Sequence, residues 1–268
     1  MGVEEEAKGA ARKAQSSPVL EWLARAGFAA VGTIHVLLGA LVIALAFGSR
    51  SDSTQSGALK VIAGAPAGFV VLWVLAITLW CLATWQVLDG VLARGTSARG
   101  WARRVGEWSR ALVYLVLGAV AAAVALGSRP NAKKSAQHVS RGLLDLPGGS
   151  LLLGAIGAAV AVAGVVFIVI GARRSFCKRL ELRGGAMDRV VVVLGVIGYV
   201  AKGAALMVVG VAVVVAAVTV DPAAAGGLDA ALTGLLAVPF GPVLVVAVGA
   251  GFVVYGAYCF FRVRFAAL

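Results

Sequence analysis

Six stretches of this sequence, near positions 26–47, 69–92, 110–127, 150–171, 190–218 and 240–261, run almost without a charge. Each approaches or exceeds the ~20 residues that a helix needs to cross a hydrocarbon core about 30 Å thick. No water reaches backbone N–H and C=O groups in lipid, so segments of this kind must satisfy them internally as helices. Six transmembrane helices are therefore expected. With 61% of 268 residues hydrophobic and 13% charged, the chain is too apolar for an ordinary soluble domain.

The spans are copies of one another. GFAAVGTIHVLLG, Gly27 to Gly39, returns as GYVAKGAALMVVG, Gly198 to Gly210, with all three glycines in register after a shift of 171. A shift of 79 carries Trp22, Arg25, Gly27, Gly39 and Gly48-Ser49-Arg50 onto Trp101, Arg104, Gly106, Gly118 and Gly127-Ser128-Arg129, while Gly32 becomes Ala111. Each copy continues through a short segment to P-x-G, at Pro66 to Gly68, Pro147 to Gly149 and Pro239 to Gly241, and then into a second span. Proline fixes φ and lacks a backbone donor, and glycine tolerates a tight turn, so P-x-G suits the point where the chain re-enters lipid. Two crossings per copy preserve orientation. The expectation is an all-α membrane protein of three parallel two-helix repeats about a pseudo-threefold axis, with a polar tail over 1–20 and repeats over 21–95, 96–180 and 181–268.

Gly32 and Gly39 share one helix face, as do Gly203 and Gly210. Helices associate in lipid by close packing rather than hydrophobic drive. These glycines, with Gly27, Gly106, Gly118 and Gly198, are expected to pack the odd-numbered spans against one another.

The glycine pattern, the P-x-G turn and the closing GAGFVVYGAYCFFRVRF, Gly249 to Phe265, resemble the bacterial membrane family of domain of unknown function 1206. That resemblance extends over about residues 20–265 and implies three tandem two-helix modules. It implies no activity, substrate or catalytic residue. The middle copy departs most, with Glu107 where the others have Phe28 or Tyr199.

The net charge of +12 is a matter of topology. If the amino terminus is cytoplasmic, seventeen of the 24 Lys and Arg fall on inner segments and six on outer loops, with Lys202 inside a span. The positive-inside rule then places both termini in the cytoplasm of a bacterial inner membrane, and no nucleic-acid partner is needed. The basic inner loops, 94–110 and 173–189, would attract anionic lipid headgroups. Ala44-Leu45-Ala46 resembles a signal-peptidase site, but the first apolar run is long and repeats within the chain, so it is expected to remain as a helix. Three cysteines, Cys81, Cys177 and Cys259, give neither a disulfide framework nor a metal site.

Ionisable residues inside a membrane are costly and become functional candidates. His35 lies ten residues beyond Arg25, roughly 15 Å into the bilayer, on the face of Gly32 and Gly39. Lys202 lies nearer the inner boundary, within reach of snorkelling or of Asp89. Thr78, Cys81, Trp85 and Asp89 form one polar stripe, which Thr33 and His35 would extend toward the midplane. Asp89 could instead pair with Arg94 or Arg99. No catalytic motif, cofactor site or metal set accompanies these residues, so an enzyme is not expected. The leading expectation is a non-enzymatic protein working through lipid or partner-protein contacts. The alternative is a small transporter or channel using His35, Lys202 and Asp89.

Overall fold

The structure, a computed structural model, describes residues 17–49, 53–92, 98–181 and 184–266. Most of the expected polar tail, 1–16, lies outside the described residues. The helices are α1 (Pro18–Ala46), α2 (Gln55–Ala63), α3 (Gly68–Leu92), α4 (Ala98–Ala125), α5 (Ala132–Leu144), α6 (Gly149–Ala172), α7 (Ala186–Thr219), α8 (Gly227–Leu236) and α9 (Gly241–Phe265), with a 3₁₀ turn at Ser175–Arg179. α1, α3, α4, α6, α7 and α9 are long and apolar enough to cross a membrane. Each repeat is an odd span, a short helix and an even span. Thr54 and Asn131 begin α2 and α5 by accepting hydrogen bonds from the amides of Gly57 and Lys134.

The main seams join different repeats. α3 packs on α4, α6 on α7, and α9 on α1, so each even span meets the odd span of the next repeat and the last meets the first. Within repeats, α1 packs on α3 and α7 on α9, whereas α4 and α6 touch at most marginally. The six spans thus form a ring that is open between α4 and α6.

This arrangement corrects the expected role of the glycines. A Cβ on Gly39 would lie 2.5 Å from the Gly249 carbonyl oxygen, and one on Gly32 would lie 2.9 Å from that of Gly256, both on α9. Gly203 similarly faces Gly164, and Gly210 faces Ala161, on α6. Gly118 meets the Trp80 indole and the Ala76 carbonyl of α3. The glycine faces therefore join odd spans to even spans, and the reason lies in a small-residue row on the even spans. Counting from their opening glycines, positions +8, +15 and +22 hold Ala76, Ala83 and Gly90 on α3, and Gly157, Gly164 and Gly171 on α6; α9 has Gly249 and Gly256, then Val263. Two facing small rows let backbones approach.

The first glycine of the motif serves the within-repeat seam. Gly27 lies against the Thr78 carbonyl and Leu82 of α3, and Gly198 lies against Tyr255 of α9. Gly106 has nothing within 4 Å of an added Cβ, because its repeat lacks that seam.

The P-x-G turns divide their work differently from expectation. Positive φ falls on the middle residue, Ala67 (61°), Gly148 (73°) and Phe240 (61°). Gly68, Gly149 and Gly241 are needed because a Cβ there would strike the carbonyl oxygen of Ile62, Leu143 or Leu235 in the preceding short helix. Both requirements recur in all three repeats. Pro66, Pro147 and Pro239 precede them.

Both ends of the ring are tied. On the face opposite the termini, the Asp229 carboxylate at α8 lies 3.2 Å from Lys133 Nζ of α5 and accepts a 3.4 Å hydrogen bond from the Ser53 amide ahead of α2. One side chain thus connects the three short-helix segments. On the terminal face Arg25 donates to the Val263 carbonyl over 3.2 Å, joining the start of α1 to the end of α9.

Candidate functional site

Aligning the repeats places side chains of very different chemistry at equivalent central positions. Shifts of 79 and 171 relate Phe28, Glu107 and Tyr199; Val31, Arg110 and Lys202; and His35, Tyr114 and Leu206. Counting from the even-span glycines relates Gln86, Phe167 and Cys259, and likewise Asp89, Ile170 and Arg262. A threefold scaffold therefore encloses an asymmetric interior.

His35, only 3% exposed, bonds through Nδ1 to the Val31 carbonyl at 2.8 Å. Because a carbonyl can only accept, this bond puts the proton on Nδ1. The imidazole packs against Tyr255, with centroids 4.7 Å apart, and against Phe252 at 6.2 Å. Lys202 Nζ occupies the other side of this neighbourhood, 4.6 Å from the Tyr255 centroid and 5.3 Å from that of Phe167. Tyr255 therefore stands in contact with both intramembrane ionisable side chains, His35 and Lys202. Aromatic faces attract an ammonium through their quadrupole.

Tyr199 is stacked between Phe167 and Phe176 and meets Tyr255 and Tyr258 edge-on. Phe176, from the 3₁₀ turn, reaches this site across Gly195, where any Cβ would collide with its ring. Arg262 places its guanidinium 3.9 Å from the centre of the Phe28 ring. In the middle repeat, Glu107 is 1% exposed and its Oε1 contacts both Arg110, at 2.5 Å, and Arg179, at 2.6 Å. The interior thus combines groups from all three repeats on the terminal-face half of the ring.

Among the described residues, three buried side-chain atoms have no hydrogen-bond partner: Arg110 Nε, Arg262 Nε and Gln86 Oε1. Such atoms are rare in folded proteins. Among the described residues no group of His, Cys, Asp or Glu gathers as a metal set.

The remaining sequence candidates are Thr78, Thr33 and Asp89. Thr78 donates its hydroxyl to the Val74 and Leu75 carbonyls and sits under Gly27, and Thr33 donates to Ala29, so each serves its own helix. Asp89 is half-buried near the end of α3. No ion pair joins it to Lys202, whose ammonium lies over aromatic rings instead. Arg94 lies outside the described residues, as does the side chain of Arg99. Sequence reasoning missed Glu107, Arg110, Arg179, Arg262 and the tyrosines as one cluster. The usable signal was the repeat register itself, which puts Arg110 at the level of Lys202.

A family model described as Domain of Unknown Function (DUF1206) matches three tandem segments, residues 26–93, 105–174 and 197–266. The chain is similar to "Uncharacterized protein YxxB" of Bacillus subtilis (strain 168), with 28% identity over 257 residues, covering 93% of this chain and 92% of the relative. No solved structure matches it.

Proposed function

We propose that this chain, which belongs to the family described as Domain of Unknown Function (DUF1206), is a non-enzymatic multi-pass protein of the bacterial inner membrane that acts through lipid or partner-protein contacts. Both termini are cytoplasmic in this reading, supported by seventeen Lys and Arg on that side against six on the other. The observation that carries the reading is the filled centre at His35. Its imidazole bonds to its own helix and is enclosed by Tyr255 and Phe252, which favours a closed interior over a conducting one. The ring's opening between α4 and α6 supplies a place for a lipid chain or partner helix.

A small-solute or ion path is the second reading, favoured by the cations gathered on the terminal-face side of His35. Solvent labelling separates the two. A lone cysteine at position 35, with Cys81, Cys177 and Cys259 replaced, should resist a small polar thiol reagent applied from either side of correctly inserted protein. Modification would put water at mid-membrane and overturn the closed-centre reading.

A further inference from the structure

The cation cluster contains more positive charge than its own carboxylate can balance. Arg110, Arg179, Lys202 and Arg262 are four cations, and Glu107 is the carboxylate between the first two. Among the described residues, Lys202 and Arg262 have aromatic faces and no carboxylate partner. An aromatic face compensates a cation less than water does, and burying an unbalanced charge is costly.

The hydrogen bonding points the same way. Arg110 Nε and Arg262 Nε are both buried donors without an acceptor. Arg110 and Arg179 share Glu107, Arg179 stands on the 3₁₀ turn with Phe176, and Phe176 packs in one core cluster with Tyr258 and with the Phe28 ring beneath Arg262, so the two orphan donors belong to one neighbourhood. Guanidinium forks match the oxygens of a phosphate group. Arg262 lies in the last turn of α9, near the depth of lipid headgroups, while Arg110 is seven residues inside the span that starts at Arg103. The side chains of Arg110 and Arg179 are 36% and 41% exposed, so the cluster communicates with the outside of the ring.

The geometry points to a phosphate-binding site framed by Arg110 and Arg262 and flanked by Lys202, occupied by a phospholipid headgroup that enters through the opening between α4 and α6. The site rests on these residues; only the lipid source of the phosphate rests on the contact reading given above.

The test uses delipidated full-length protein in detergent. Phosphatidylglycerol or phosphatidylcholine is added and retention is read by native mass spectrometry, with inorganic phosphate tested separately by thermal shift. Wild type should retain phosphatidylglycerol, and Arg262→Gln and Arg110→Gln should each weaken retention about tenfold or more, the effect of losing a charge-assisted hydrogen bond. Arg173→Gln, at an exposed position on the terminal face just past α6, should bind as wild type. If Arg262→Gln does not elute as a single species, Arg262→Lys replaces it, with weakened retention expected because the fork is lost. Equal retention of phosphatidylglycerol by wild type and the cluster variants overturns the site while leaving lipid contact intact. Equal loss in Arg173→Gln also overturns it, in favour of surface attraction. Stabilisation by inorganic phosphate that depends on Arg262, with no lipid retained, upholds the phosphate site and overturns its lipid source.

Discussion

Adding one methyl group at Gly39 and at Gly106 should give opposite results, although the two glycines belong to copies of one motif. At Gly39 the new Cβ would lie 2.5 Å from the Gly249 carbonyl oxygen, 0.9 Å short of the 3.4 Å at which ordinary contact begins. Val253 Cγ2 at 2.7 Å and Val253 N at 2.9 Å close the other directions. Two of these three atoms are backbone, so α1 and α9 must separate to accept the methyl. Overpacking of this kind costs about 1–3 kcal/mol, and the better helix propensity of alanine returns up to ~1 kcal/mol. With the full ~1 kcal/mol returned, the net for Gly39→Ala is a loss of about 0–2 kcal/mol. At Gly106 nothing lies within 4 Å, so only the propensity gain remains and Gly106→Ala should be neutral or stabilising by up to ~1 kcal/mol. Reversible unfolding in mixed micelles, or thermal denaturation read by monodisperse elution, would measure the difference. Equal destabilisation at both positions would refute the seam assignment.

Glu107→Gln removes the carboxylate shared by Arg110 and Arg179 and should destabilise the fold by about 1–3 kcal/mol, the partial exposure of both arginines keeping it below the cost of a fully buried pair. The double variant Glu107→Gln/Arg110→Gln should cost less than the sum of the singles in the same assay, and strict additivity would contradict the coupling. Asp229→Asn should change global stability by less than ~1 kcal/mol, since its ion pair is partly exposed. It should nevertheless speed amide hydrogen exchange in α5, because it releases the contact that ties this helix to α8; unchanged exchange would show that the tie is dispensable.

The spans were legible because lipid leaves a backbone one option, and the repeat was legible because its glycines hold their spacing. Their partners were not. Gly32 and Gly39 announce a close approach, but a helix face does not state which neighbour fills it, and the answer lay in the small rows of α6 and α9. In P-x-G the glycine was credited with the turn, whereas Ala67, Gly148 and Phe240 adopt the positive φ. The glycine is demanded by a carbonyl of the preceding helix, a contact with no local sequence signature. In the sequence Arg110 and Arg262 read only as positive charge near span ends. Their inward direction follows from which helix faces the axis, and that required the packed ring. His35 and Lys202 are legible in the sequence, since a charge-capable group in an apolar run is conspicuous by itself.

Because the strongest seams connect successive repeats and the last one connects the ends of the chain, a two-helix copy is a unit of sequence and not of assembly. During synthesis α3 finds α4 next, and α6 finds α7 after a short loop. α1 must remain in the membrane with the bare face of Gly32 and Gly39 until Gly249 and Gly256 arrive, 210 and 224 positions later respectively by the Gly39 to Gly249 and Gly32 to Gly256 separations. A chain stopped before α9 therefore carries an unmated adhesive face on α1, and α9 acts as a clasp whose arrival closes the third repeat onto the first.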